Sequence, residues 1–150
     1  MPDDQHAWDM KARARRGIDV RRSVFGDTDE AEWKRLNDEF DPEFHDIMVG
    51  FRWGTITARP GIDMRTRMLC RVAAFLAQGN LETVDDIVEN HIRGALRTGA
   101  TPQEVVEVIL EVGLAAGIHK WKARSTAIRI FKEMGYKRGV DWGPPLPEGW

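Results

Sequence analysis

Apolar residues along this chain recur every three or four positions and almost nowhere every second one, so the pattern predicts helices throughout. Residues 29–38, with Trp33 and Leu36, form the first predicted helix. "DPEF" at 41–44 starts a second, with Asp41 as N-cap and Pro42 at the first helical position. It should run to about Phe51, with Phe44, Ile47, Met48 and Phe51 on one side. "WGTITARPGID", 53–63, reads as a connector whose turn is Pro60-Gly61. Asp63 can cap the next helix, 64–78, which buries Leu69, Val72, Ala73 and Leu76 and ends near Gly79.

Thr83 and Asp86 make a weak capping box for a helix that stops at Gly99, and Thr101-Pro102-Gln103-Glu104 makes a better one. The helix it opens turns Val105, Val106, Ile109, Leu110 and Leu114 inward and leaves Glu104, Glu107 and Glu111 on a solvated side. A last helix, 120–134, carries Trp121, Ala127, Ile128, Ile130 and Phe131 and closes at Gly135. "VDWGPPLPEGW" is too rich in proline and glycine for regular structure. The expected fold class is all-α, about six helices in one domain: residues 16–135, between an N-terminal tail (1–15) and a Pro/Gly/Trp-rich tail (136–150).

Composition narrows the function. A net charge of −2 makes no general demand for nucleic acid or an anionic membrane, and the apolar runs are too short to span a bilayer. "MPDDQHAWDMKARARRG" has acids before its basic cluster and no apolar core, so it is not expected to act as a secretory signal. A single cysteine, Cys70, rules out dithiol chemistry within one chain. A cytoplasmic protein is the expectation. The basic run at 11–22 lacks interleaved aromatics and is followed by acids, which suits a tail pairing with an acidic neighbouring subunit. Tryptophans near the termini (Trp8, Trp142, Trp150) also favour an oligomer, or tails folded back on their own domain.

The chemistry on offer is sparse. The histidines, at 6, 45, 91 and 119, form no His-x-x-x-His pair, and there is no CxxC, so no metal is expected. A glycine-rich phosphate loop and a glycine-flanked serine are both missing. His91 stands on the apolar face Val84, Val88, His91, Ala95, bordered by Ile87 and Ile92, where leucine would be the easy choice. Residues alone favour a satisfied core histidine over a group that titrates near neutrality to do acid–base work. Arg67 and Arg71, one turn apart, can clamp a carboxylate, although helix surfaces carry such pairs routinely. His119, in "AAGIHKW", follows a glycine-terminated helix, where a short loop presents it to a cleft or to solvent.

Four blocks, "RGIDVRRSVFGD" (16–27), "FRWGTITARPGIDMRTRML" (51–69), "HIRGALRTGATPQEVVEVILEVGLAAGI" (91–118) and "KARSTAIRIFKEMG" (122–135), occur in the order that resembles the carboxymuconolactone decarboxylase family. The resemblance covers about residues 16–135 and implies an alkylhydroperoxidase D-like helical fold. It also implies a homo-oligomer, trimer or hexamer, with sites at or near subunit contacts. The peroxidase branch of that family places a CxxC one turn before a histidine. Here Val84 and Ile87 hold those positions and Cys70 lies elsewhere, so the resemblance points to the decarboxylase-type branch.

That branch implies a cofactor-free, metal-free decarboxylase, or a related proton-transfer lyase, acting on a small carboxylated lactone or ring compound in aromatic-compound catabolism. His91 would be its general acid/base, His119 a second titratable group, and Arg67, Arg59 and Trp53 the substrate-binding wall. Loss of CO2 leaves a dienolate-like anion; an imidazolium that protonates it is worth about 10²–10⁴ in rate, and donors around the oxygen on the order of 10²–10³. Two departures, a longer "QGNLETVDDIVEN" segment and His119 with Ala115 in place of the family's "YxG"-proline, imply a substrate other than the namesake lactone. The competing readings are a non-catalytic oligomeric binding or scaffold protein that kept the fold, and a lactone hydrolase or isomerase.

Overall fold

A computed structural model describes residues 9–41, 43–79 and 81–149, with 81–85 described by their backbone alone. Expectations for Trp8, Pro42 and Trp150, and for the side chains of Thr83 and Val84, lie outside the described residues. The chain divides into two units, Met1–Asp63 and Met64–Trp150. The fold is all-α: among the described residues there is no strand, only an isolated bridge between Arg138 and Trp142. No helix among them is long and apolar enough to cross a membrane.

The first unit holds α1 (Met10–Phe25), α2 (Asp27–Phe40), α3 (Phe44–Met48) and a π-helix, Val49–Thr57. The basic run is therefore a helix, and it begins inside the stretch expected to be a tail. Its inner stripe is Ala14, Gly17, Arg21 and Val24, too small and too mixed to read as an apolar face. Gly26, at φ +93°, ends α1 and opens α2, a conformation glycine adopts without strain.

The π-helix corrects the reading of 53–63 as a connector. Its ladder steps back five residues, as in Ala58 N to Trp53 O (3.0 Å), and two threonine hydroxyls, Thr55 to Gly50 O (2.9 Å) and Thr57 to Arg52 O (2.7 Å), donate across the same step. A helix wound this loosely lines up residues four and five apart, so His45, Val49, Gly50, Trp53, Gly54 and Thr57 are buried. The expected side, Phe44, Ile47, Met48 and Phe51, follows a 3.6-residue period; Phe51 is instead 62% exposed. Gly17 and Gly54 let α1 and the π-helix touch backbone to backbone, since a Cβ on either would strike the carbonyl oxygen of Val49 or Arg13. Arg16 Nε then donates to Gly54 O at 2.7 Å across the crossing.

The second unit holds α4 (Met64–Gln78), α5 (Leu81–Arg97), α6 (Pro102–Ala116), a 3-10 helix (Ile118–Ala123) and α7 (Arg124–Glu133). Val72, Leu76, Val88, Ile92, Leu96, Val105 and Phe131 are part of one core, with Leu69 and Ala73 packed against it. The capping box at Thr101 is formed, and its Glu104 also pairs with Arg65 of α4, tying two helix starts together. Leu110 and Leu114, expected inward, are exposed, Leu114 by 69%. The helix is apolar around much of its girth, and the side that fits the core is Val105, Ile109, Val112 and Gly113. The expected last helix is broken: Gly117, at φ +110°, ends α6, and a 3-10 turn precedes α7. The C-terminal segment folds back, burying Trp142 against Phe131 at 5.0 Å.

On the outside, Arg93 and Arg129 each bond Glu89 and Glu133, clasping α5 to α7. Glu89 is held below the ordinary carboxylate value, first by the hydrogen bond from Arg129, and Glu133 likewise, first by that from Arg93. A carboxylate with a lowered folded pKa adds stability above its unfolded value and loses it as pH falls through the folded one. Glu89→Gln should therefore flatten the fall in urea midpoint between neutral pH and pH values below 4.5. At the glycine crossing, Gly17→Ala should cost about 1–3 kcal/mol, the usual cost of overpacking, measured by the same unfolding experiment at neutral pH.

Candidate active site

His91 lies on α5 and is 6% exposed. Its Nδ1 is 2.7 Å from the carbonyl oxygen of Ile87, one turn back, and a carbonyl accepts, so Nδ1 carries the proton. In the neutral ring the lone pair is then on Nε2, and that atom is buried. The ring also lies 4.7 Å from that of Phe75 on α4. This arrangement yields a fixed tautomer, with Nδ1 assigned to the backbone and Nε2 buried on the other side of the ring.

The C-terminal turn of α4 brings a second chemical group to the same unit. Lys120, buried on the 3-10 helix, donates from Nζ to Gly79 O at 2.6 Å, and Gly79 N in turn bonds Phe75 O at 3.2 Å. A cation is at home there, where helix carbonyls lack partners and the helix dipole is negative. A lysine in "HKW" reads as solvated; the available signal was the short turn that Gly117 forces before it.

Of the sequence candidates, His91, His119 and Arg67 belong to this unit and Arg59 and Trp53 to the first. His119 is exposed on the 3-10 helix beside Gly117 and makes no hydrogen bond or ion pair with a described residue, so it is not joined to His91. Arg67 is half-buried on α4, one turn from Arg71. Trp53 is 2% exposed and meets Phe25 edge to face at 5.3 Å. It is a core residue of its unit. Arg59 lines a cleft of about 400 Å³ with Arg13 and Arg16 at the end of the π-helix.

The first unit also buries a charge cluster that periodicity does not reveal. Arg21 donates to Glu30 (2.6 Å) and Asp29 (2.5 Å); Glu30 reaches His45 Nε2 (3.0 Å), and His45 Nδ1 faces Asp46 (3.3 Å). Trp33 lies 4.3 Å from the Arg21 guanidinium and 5.2 Å from the His45 ring. Arg52, half-buried on the π-helix, has no carboxylate partner among the described residues. Burial, and then the charge of Arg21, push its pKa below the usual arginine value. Among the described residues no group of three or more His, Cys, Asp or Glu is arranged to hold a metal ion. Glu30→Ala would leave Arg21 buried with half its partners gone, and should cost about 3–5 kcal/mol in chemical unfolding.

Residues 42–133 match the Carboxymuconolactone decarboxylase family. The chain is 33% identical over 125 residues to the 4-carboxymuconolactone decarboxylase of Acinetobacter baylyi, which covers 82% of this chain and 90% of that one. It is 29% identical over 102 residues to a nitrosuccinic acid decarboxylase of Metarhizium robertsii, covering 67% and 68%. An uncharacterized 15.0 kDa protein from the nqo9-nqo10 intergenic region of Paracoccus denitrificans is 30% identical over 87 residues, 57% of this chain and 63% of that one.

Proposed function

We propose, from the premise that the chain belongs to the carboxymuconolactone decarboxylase family, that it is a carboxy-lyase with His91 as general acid and base. Its substrate is a small carboxylic acid bearing a group that accepts negative charge. Two relatives are named for 4-carboxymuconolactone and for nitrosuccinic acid. A lactone in the first and a nitro group in the second are such acceptors, and a carboxylated ring compound of this kind fits the reading best.

The bond to the carboxylate carbon breaks, its electron pair passes into the acceptor, and CO2 leaves. The anion then takes a proton at carbon from Nε2–H of the His91 imidazolium, and water reprotonates the ring. Nδ1–H donates to Ile87 O in both charge states, so the ring needs no rotation between steps. This hydrogen bond is the observation that carries the assignment, since it aims one defined nitrogen away from its own backbone. Arg67 is the proposed cation for the substrate carboxylate in the same unit, and His119 a second titratable group. Arg59 lines a cleft of its own unit with Arg13 and Arg16. Trp53 acts through the π-helix it anchors rather than by touching substrate.

A homo-oligomer is part of the proposal. Leu114 and Ile118 leave apolar surface exposed at the end of α6 and on the turn after it.

His91→Ala should lower CO2 release by about 10²–10⁴ from whichever of 4-carboxymuconolactone and nitrosuccinate the parent protein turns over, while circular dichroism and oligomer size stay unchanged. Turnover equal to the parent protein's would remove His91 from the reaction. Intact protein that releases CO2 from neither acid would count against both substrates.

A further inference from the structure

The unit Met64–Trp150 contains a cavity of about 640 Å³ between α6, α7 and the segment that returns after Gly135. Its inner wall is apolar: Val106, Ile109, Ile128 and Phe131, with the rings of Trp121 and Trp142. The indole N–H of Trp121 donates to Leu110 O at 3.2 Å, so that ring offers the cavity carbon surface. Two cations also line the cavity. Arg124 Nη1 donates to Trp121 O (3.0 Å) and Arg138 Nε to Pro144 O (3.0 Å), which fixes both side chains and leaves each guanidinium with further N–H groups. Neither is ion-paired to a described carboxylate. Glu107, the acid on the wall, accepts from Gln103 at 2.6 Å.

The returning segment is held in place rather than draped. Trp142 packs on Phe131, Gly143 N donates to Gln103 Oε1 at 2.8 Å, and Gly139 N donates to Trp142 O at 3.0 Å. The cavity is therefore built before any ligand arrives, and its size falls in the range of about 300–1,000 Å³ that small-molecule sites occupy.

We propose that this cavity binds a planar aromatic carboxylate, its ring between the aromatic walls and its carboxylate on Arg124 and Arg138. Aromatic rings favour flat partners in stacked or edge-on contact. Guanidinium forks match carboxylates in charge and in geometry. Arg124 and Arg138 are exposed where they line the cavity, so a carboxylate gains their charge while its ring covers the apolar wall, and a small aliphatic acid would leave most of that wall wet. His91, His119, Arg67, Arg59 and Trp53 are not on this wall, so the site is separate from the proposed lyase centre and does not rest on it.

The experiment is calorimetric titration of the full-length protein with 1-naphthoate, beside 1-naphthalenemethanol as the uncharged counterpart. One saturable site per chain is expected, with the alcohol bound about tenfold or more weakly, the size of a lost charge-assisted hydrogen bond. Arg124→Leu combined with Arg138→Leu should weaken naphthoate by a similar factor, with circular dichroism unchanged. Ile128→Trp, which fills the cavity and keeps both arginines, should abolish binding even if the double variant folds poorly. His91→Ala should bind as the parent does. Equal binding of acid and alcohol would overturn the carboxylate assignment. Failure of the intact protein to bind naphthoate would overturn the site itself, as would binding that survives Ile128→Trp or is lost in His91→Ala.

Discussion

A single hydrogen bond across one turn of α5 decides what the one histidine on that helix's inner face is able to do. By accepting from Nδ1 of His91, the carbonyl of Ile87 fixes the ring's tautomer and orientation together. Helix geometry supplies this without any further residue, because side chains lean back over the turn that precedes them. Phe75 then contacts the ring from α4, and the end of that helix is in turn held by Lys120. The candidate acid–base group therefore depends on the packing of α4 against α5 and on the short 3-10 turn that delivers the lysine.

The first unit answers a different constraint. Its α1 and π-helix approach so closely that two glycines face backbone carbonyls. Little apolar side chain fits into such a contact, and the space beyond it is occupied by Arg21, Glu30 and His45 under Trp33. Buried charges of this kind are stable only as a complete set, since each partner offsets the desolvation of the others. Arg52 stands just outside that set, and burial first, then the positive charge of Arg21, hold its pKa below the usual arginine value.

Family membership and these geometries reinforce one another unequally. The match over residues 42–133 supports decarboxylase-type chemistry through the relatives' activities. It does not account for the aromatic cavity beside α7, whose walls come partly from the C-terminal segment after the matched region. The second unit thus carries the proposed acid–base histidine on α5 and a preformed apolar cavity beside α7.

By itself the sequence determined the helical class, most helix stops and the capping box at Thr101. These are local matters: Thr101 and Glu104 meet within a single turn, and Gly99, Gly117 and Gly135 take positive φ where L side chains rarely go. It also located His91 on an inner face, because four residues of a 3.6-residue period suffice to define that face. What only the tertiary structure decided involves contacts between residues far apart in the chain. The π-helix escaped a reading tuned to 3.6 residues per turn, and its true inner stripe appears only once α1 lies against it. Leu114 and Ile109 are equally apolar, and which of them is buried depends on where α4 and α7 pack rather than on the residue. Arg21, Glu30 and Lys120 look like surface charges in a sequence, because burial of a charge requires partners that the chain supplies only when folded.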